Sequence, residues 1–181
     1  MDLTILRNNV LKIFNADKTN LPICIMSKIL SNDSAVYEGY FKAVDGDLTQ
    51  DYLSRIYQYD FADREEMKQD YTPPTLAALS AHLLNESKPL SVFDQCAGTG
   101  SLSIAFWNTN RNISVTAIEK DKNNIPFLLF NFAVRNIQAL VINGDALNEN
   151  AAGTILYQIT KGEKYGRVIK LIKEEGEKIA I

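Results

Sequence analysis

The sequence predicts an α/β fold in which a helical N-terminal region precedes a strand-and-helix core and a C-terminal β-hairpin. From residue 3 to about residue 60, apolar residues recur at helical spacing, as in Leu3, Leu6 and Val10. From residue 90 to 143, short apolar runs alternate with helical stretches, and after residue 154 two alternating runs flank a polar turn. We therefore expect three regions, at residues 1–68, 69–150 and 151–181.

The N-terminal region carries the signals of several short helices that pack through one apolar face. Asn20 and Asp33 are candidate N-caps, because each precedes an apolar periodic stretch. Asp45-Gly46-Asp47 marks a turn before a further helix through Leu53 and Ile56.

The core begins with a helix that Thr72 can cap, with Pro73 and Pro74 at its first positions. Three predicted strands follow, at residues 90–94, 113–119 and 139–143, separated by predicted helices at 102–107 and 123–135. This order predicts parallel strands joined by right-handed crossovers. In the tail, the runs 154–159 and 167–172 are separated by a short polar turn, which predicts a hairpin.

Composition excludes several function classes. The 181 residues are 46% hydrophobic and 23% charged with a net charge of -3, so the chain is globular and too acidic to hold a duplex by charge alone. Cys24, Cys96 and one histidine are too few for a disulfide framework or a structural zinc site, and Cys96 is expected to pack as a small residue. No stretch approaches the roughly 20 apolar residues of a membrane span, and the N-terminus lacks signal-peptide features. We expect a reduced, cytoplasmic protein.

A glycine-containing turn, Asp94-Gln95-Cys96-Ala97-Gly98-Thr99-Gly100, lies between the first predicted strand and the next helix. Glycines let the backbone turn tightly and approach a ligand at the carboxyl end of a strand. A nicotinamide dinucleotide would favour a third glycine, but Ser101-Leu102-Ser103 follows Gly100. The turn therefore favours an adenosine that carries no phosphate.

Acidic residues follow the next two strands. Glu119 ends the second strand, where its carboxylate can accept hydrogen bonds from both ribose hydroxyls. Asp145, followed by Ala146, comes after the third strand and is placed to accept from an adenine amino group. Because the carboxyl ends of parallel strands meet at one edge, Asp94, Glu119 and Asp145 predict a single ligand crevice.

These motifs resemble those of adenine-specific DNA methyltransferases, especially the modification subunits of type I restriction systems. Residues 94–102 resemble the first motif of that family, and residues 69–74 resemble its aromatic-Thr-Pro motif, which folds over the methionine end of S-adenosylmethionine. Glu119 and Asp145 match the acidic residues at the ribose and the adenine. The resemblance covers about residues 50–150. It implies a partial Rossmann-like S-adenosylmethionine-dependent methyltransferase fold, with S-adenosylmethionine as the cofactor.

The resemblance also implies roles for individual residues. The backbone of the glycine turn would line the amino-acid part of the cofactor, Thr72 would contact its carboxylate, and Asp94 would orient the turn or receive its ammonium group. Asp94 could instead form only a turn, Asp145 cap a helix, and Tyr71 pack in the core. The expected cofactor-binding residues are Tyr71, Thr72, Pro73, Asp94, Ala97, Gly98, Thr99, Gly100, Glu119, Asp145 and Ala146.

The chain departs from the family at the catalytic motif. In the family, Asn or Asp followed by Pro-Pro and an aromatic residue comes after the fourth strand and holds the flipped adenine. That tetrapeptide occurs nowhere in this sequence, whose only Pro-Pro is Pro73-Pro74. The best candidate for the fourth strand, residues 167–172, runs into Lys173-Glu174-Glu175. We therefore predict that the cofactor half is present and the substrate half absent, and we assign no catalytic residue.

Three functions fit these observations. The chain could be a methyltransferase component that a second subunit completes, with DNA bound weakly or through that partner. It could be a non-catalytic S-adenosylmethionine-binding accessory of a restriction-modification system or mobile element. It could be a small-molecule or RNA methyltransferase, although no acceptor residues stand out. A homo-oligomer is also compatible with the sequence.

The family's strand order places the first strand in the middle of the sheet, so its second edge needs cover. The candidates are the tail hairpin and a strand from another subunit. We expect the hairpin, because its length suits two strands and its runs supply the apolar side chains Ile155, Tyr157, Ile159, Val168, Ile169 and Leu171.

Overall fold

A computed structural model of the chain describes residues 1–63, 65–66, 69–84, 90–147 and 155–171. The N-terminal region forms helices α1 (Leu3–Phe14), α2 (Leu21–Leu30), α3 (Ser34–Ala43) and α4 (Tyr52–Asp60). The core contains α5 (Pro74–Leu83), β1 (Leu90–Asp94), α6 (Ser101–Thr109), β2 (Ile113–Glu119), α7 (Ile125–Val134) and β3 (Gln138–Asn143). Strands β4 (Ile155–Thr160) and β5 (Arg167–Leu171) follow. The predicted α/β fold is confirmed.

Polar residues begin the N-terminal helices much as the sequence predicts. The Asp33 carboxylate accepts a hydrogen bond from the Ala35 amide and caps α3. Asn20 occupies the N-cap position of α2, but its side chain makes no capping bond there. Helix α5 begins one residue later than expected, with Pro73 rather than Thr72 at the N-cap.

The sheet has the order β1-β2-β3-β4-β5, with the first three strands parallel and the last two antiparallel to their neighbours. One row of paired residues across the sheet is buried: Val92, Val115, Ala139, Ile159 and Val168. In the adjacent row, Phe93 is 49% exposed and Ile169 is 42% exposed. One face of the sheet therefore packs against the helices, where right-handed crossovers would place both α6 and α7.

Helix α7 lies at the centre of the molecule, and all ten of its residues are buried. The Phe130 ring contacts the rings of Phe14, Tyr37 and Tyr40 at centroid distances of 5.2, 5.1 and 5.1 Å. A helix that is apolar all round must be covered on every side. The N-terminal helices supply that cover on the side of α7 away from the sheet.

The predicted hairpin is confirmed, but its predicted position beside β1 is wrong. Strand β4 pairs antiparallel with β3, with Val141 opposite Tyr157. Ile159 and Val168 thereby extend the buried row, and the Gly166 amide donates to the Ala133 carbonyl of α7 at 2.8 Å. A hairpin that follows β3 reaches its neighbouring edge directly, whereas reaching β1 requires crossing two strands. Within the described part of the chain, β1 has a strand partner on one side only.

Strand β5 is likewise not a parallel fourth strand, since it pairs antiparallel with β4. Several predictions fall outside the described residues: the hairpin ends at Thr154 and Ile172, the acidic run 173–175, and the boundary residues 68, 150 and 151. The division into three regions stays a prediction. Among the helices that the structure describes, none has the length and apolar character needed to cross a membrane.

Candidate functional site

A cavity of about 480 Å³ opens at the carboxyl ends of β1, β2 and β3. The structure brings eight of the predicted site residues to its lining: Tyr71, Thr72, Asp94, Ala97, Gly98, Glu119, Asp145 and Ala146. Pro73, Thr99 and Gly100 do not line it. The volume is within the range of small-molecule sites.

The glycine turn is fixed to the end of β2 by two backbone donors. The Ala97 amide donates to the Ile118 carbonyl at 3.0 Å, and the Gly98 amide donates to Glu119 Oε2 at 2.7 Å. Gly98 has a φ of +55° and Gly100 a φ of +93°, so both occupy the left-handed region that glycine tolerates best. These hydrogen bonds hold the turn against the end of β2, where it lines the cavity.

Glu119 is a buried carboxylate with both oxygens engaged. Its Oε1 accepts from the Asp121 amide at 2.7 Å, opposite the bond from Gly98. Burial raises the pKa of Glu119, and the nearby Asp121 and Asp94 carboxylates add to that rise against the two amide donors. The site thus holds an oriented carboxylate whose charged form is less favoured than that of an exposed glutamate.

Asp94 is 7% exposed at the end of β1. Its Oδ2 accepts from Ser103 Oγ at 3.2 Å, and it also accepts from the Cys96 amide. Burial raises the pKa of Asp94, and these two hydrogen bonds oppose the shift. Among the described residues, no cationic side chain pairs with the Asp94 carboxylate.

Asp145 lies at the more open end of the cavity. Its Oδ2 forms an ion pair with Lys120 Nζ at 2.9 Å, and its Oδ1 accepts from the Leu147 amide at 3.0 Å. The pKa of Asp145 is lowered, chiefly by the hydrogen bond from Lys120. Lys120 lines the same cavity and was missed from the sequence, although it directly follows Glu119.

The Tyr71 ring lies beside Gly98 of the glycine turn. A Cβ at Gly98 would lie 3.4 Å from Tyr71 Cε1, and the Tyr71 hydroxyl exchanges hydrogen bonds with the Asn124 side chain at 3.2 to 3.4 Å. Burial raises the pKa of Tyr71 above its ordinary range. Asn124, also missed from the sequence, thereby holds the tyrosine at the cavity.

Comparison with protein families adds one decisive match: the N-6 DNA methylase model matches residues 48–161. The chain belongs to the N-6 DNA methylase family. This match confirms the family that the sequence motifs predicted.

Solved structures also resemble this N-6 DNA methylase chain. One is the methyltransferase subunit of a type I restriction-modification system from Streptococcus thermophilus, with 18% identity, a TM-score of 0.45, and coverage of 84% of this chain and 38% of that one. Another, from Listeria monocytogenes, is described as a class I S-adenosylmethionine-dependent methyltransferase, with 14% identity, a TM-score of 0.43, and coverage of 81% and 55%. The chain thus spans less than two thirds of either protein. No curated protein matches it.

The predicted site residues outside the cavity lining occupy two other places. Thr99 is fully buried, and its hydroxyl donates a hydrogen bond to Asp51 Oδ2 at 2.6 Å on the side of the turn away from the cavity. Gly100 faces the core, where an added Cβ would lie 2.7 Å from Phe132 Cε1. Pro73 lines a second cavity, of about 570 Å³, which lies among α4, α5 and α6.

Cys96 differs from its prediction, because it is exposed at the cavity rather than packed. The turn from β1 into α6 directs residues 95 and 96 outward while Ala97 is buried. In the part of the chain that the structure describes, no three His, Cys, Asp or Glu side chains group as a metal site would require.

Proposed function

We propose that this N-6 DNA methylase family member binds S-adenosylmethionine in the cavity at the ends of β1, β2 and β3. We further propose that it supplies the cofactor half of an adenine-specific DNA methyltransferase. The observation that carries the proposal is the meeting of Asp94, Glu119 and Asp145 with the glycine turn in one cavity. When bound, the cofactor would supply the methyl group.

Glu119 supports a ribose site. A carboxylate has about four acceptor positions, and the Gly98 and Asp121 amides use one on each oxygen. One position on each oxygen is then left for a ribose hydroxyl, while the two amides hold the group in place. The hydroxyl donors would also offset the burial that raises the pKa of Glu119.

Asp94 supports a site for the methionine ammonium group. It is buried, its pKa is raised, and its described donors are a hydroxyl and an amide. An ammonium group would give this carboxylate a charged partner. Tyr71 and Thr72 lie on the same cavity, where they would cover the methionine end.

Asp145 supports an adenine site at the other end. The Leu147 amide and Lys120 hold its carboxylate, and Ala146 beside it presents a small apolar surface. An adenine amino group would add a further donor to Asp145, whose charged form is already favoured. We therefore propose that the adenosine lies along Glu119 and Asp145.

We propose that a second subunit supplies the acceptor site. The sequence contains no Asn-Pro-Pro-aromatic segment and carries a net charge of -3, so neither adenine holding nor duplex binding has a source among its own motifs. Phe93 of β1 and the leucines Leu76, Leu79 and Leu83 of α5 are exposed apolar side chains that such a subunit would cover. We propose that this chain lies in the cytoplasm, a reducing compartment in which its two free cysteines would stay unpaired.

A second candidate function rests on the same missing tetrapeptide. The chain would then be a non-catalytic accessory that binds the cofactor and regulates or competes with a modification enzyme. The two candidates differ when a subunit carrying the tetrapeptide is added. Transfer of labelled methyl groups to unmodified DNA should then begin if the chain is a catalytic component and stay absent if it is an accessory.

Calorimetric titration of the purified chain with S-adenosylmethionine and S-adenosylhomocysteine tests the cofactor site. We expect both to bind, and we expect Glu119→Ala to weaken binding at least about ten-fold, since a hydrogen bond to a charged group contributes roughly 1.5 to 3 kcal/mol. Glu163→Ala, at an exposed residue of the β4–β5 turn, is the control and should bind like the wild type. A chain that binds a nicotinamide dinucleotide but neither sulfur compound would overturn the assignment.

A further inference from the structure

Asp51 belongs to the helical N-terminal region, yet its side chain contacts the glycine turn of the core. Its Oδ2 accepts hydrogen bonds from Thr99 Oγ1 and Ser101 Oγ, both at 2.6 Å. These two hydroxyls flank Gly100, and Thr99 is fully buried. A buried hydroxyl requires an acceptor, so Asp51 satisfies a need that the turn itself creates.

The other oxygen of Asp51 joins this contact to the rest of the fold. Its Oδ1 accepts from the Ser54 amide at 3.0 Å, which caps α4, and from Asn131 Nδ2 at 2.9 Å. The four hydrogen bonds use the acceptor capacity of the carboxylate. Asn131 Nδ2 also donates to the Thr99 carbonyl at 2.8 Å, so the turn is held from α4 and α7 together.

Arg135 fixes the segment that presents Asp51. This buried side chain donates through Nε to the Leu48 carbonyl and through Nη2 to the Gln50 carbonyl, each at 2.8 Å. Its Nη1 donates to the Asn131 carbonyl and side chain at 2.9 Å. The guanidinium thereby sets the backbone just before Asp51 and the amide that bonds to it.

The glycine turn is therefore anchored on two sides. At the cavity, Gly98 is bonded to Glu119. Behind the turn, Asp51 accepts from the buried Thr99 and from Ser101, a residue that also lines the cavity. We propose that Asp51 is a positioning residue for the cofactor, which holds the turn in the conformation that the ligand contacts. This inference rests on the proposed function, and it makes the helical region a determinant of cofactor affinity rather than a separable appendage.

Four variants separate positioning from general stability. Asp51→Ser keeps an N-cap residue for α4 but is too short to reach both hydroxyls, and Asp2→Ser makes the same change at the exposed cap of α1. Thr99→Val removes the donor hydroxyl while preserving the shape of the side chain. Thr99→Ser keeps that hydroxyl. Affinity for S-adenosylhomocysteine is measured by calorimetry well below the melting temperature, and circular dichroism checks that each variant is folded.

We expect Asp51→Ser and Thr99→Val to raise the Kd about ten-fold or more, with Thr99→Ser losing less than Thr99→Val. Asp2→Ser should change the Kd by less than about two-fold. A purely structural role would lower melting temperatures and leave the Kd of folded variants unchanged. If Asp51→Ser does not fold, Thr99→Val decides. Wild-type binding with an unchanged Kd in the folded variants would refute the role of Asp51 alone, whereas no binding by the wild type would refute the proposed function as well.

Discussion

Gly98 and Gly100 lie two residues apart in one turn, but the structure predicts different main effects for their replacement by alanine. A Cβ at Gly98 would lie 3.4 Å from Tyr71, at the cavity lining. A Cβ at Gly100 would lie 2.7 Å from Phe132 and 2.9 Å from Leu128, in the core. We therefore expect Gly98→Ala to act mainly on ligand affinity and Gly100→Ala mainly on the free energy of unfolding.

For Gly100→Ala, two unfavourable contributions add. The φ of +93° imposes backbone strain of roughly 1 to 3 kcal/mol on a residue with a side chain. Contacts under 3.0 Å with Phe132 and Leu128 of the buried helix α7 force repacking, which costs about 1 to 3 kcal/mol. The sum is on the order of 4 kcal/mol, and at about 2 to 4 °C per kcal/mol the melting temperature should fall by roughly 8 °C or more.

For Gly98→Ala, only the first contribution applies. Its φ of +55° is nearer the centre of the left-handed region, where the cost is about 1 kcal/mol. The Cβ distance to Tyr71 is an ordinary contact distance. The melting temperature should fall by about 2 to 4 °C, while the added methyl group occupies space that the cofactor would contact.

Thermal unfolding followed by circular dichroism gives the stability of both variants, and calorimetric titration with S-adenosylhomocysteine gives their affinities. Urea unfolding supplies the free energies independently. Equal melting temperatures for the two variants would refute the packing argument at Gly100. An unaltered Kd for Gly98→Ala would instead contradict the assignment of the cavity side of the turn to the ligand.

Three further predictions test other parts of the structure. Burial raises the pKa of Glu119, and ribose hydroxyls bind its charged form. As the pH is lowered, affinity for S-adenosylhomocysteine should therefore begin to fall at a higher pH than it would if Glu119 had the pKa of an exposed glutamate. Titrations between about pH 7.5 and about pH 5 should show a steeper fall in the wild type than in Glu119→Gln, in which only Asp94, whose pKa burial also raises, still titrates against the ligand. Ile159→Ala should lower the free energy of unfolding by about 2 to 4 kcal/mol, and the half-exposed Ile169→Ala by less than about 1 kcal/mol; equal losses would argue against the placement of the hairpin. Arg135→Lys should cost roughly 2 to 3 kcal/mol in urea unfolding, because an ammonium group cannot reproduce its forked bonds, and a neutral result would contradict that geometry.

The sequence by itself determined the elements and the chemistry at their ends. Apolar runs of strand length, separated by helical stretches, predicted β1 to β3 nearly residue by residue, because side-chain periodicity is a local property. The same holds for Gly98, Glu119 and Asp145, whose positions after successive strands sufficed to bring them to one edge of the sheet.

Only the tertiary structure decided which edge the hairpin occupies. Both β1 and β3 offer free backbone donors and acceptors, so strand pattern alone does not distinguish them. The choice of β3 depends on Ile159 and Val168 continuing the buried row and on Gly166 approaching Ala133 of α7. Such contacts join distant segments, and no local pattern encodes them.

The same reason explains why Asp51 was missed. In the sequence it is one more acidic residue before a helix, and its capping role is all that local spacing indicates. Its bonds to Thr99 and Ser101 span 48 and 50 residues, and those to Asn131 span 80. These hydrogen bonds form only because α7 packs the helical region against the core. The sequence therefore identified the glycine turn, whereas the packing of the helices determined which residue holds it in place.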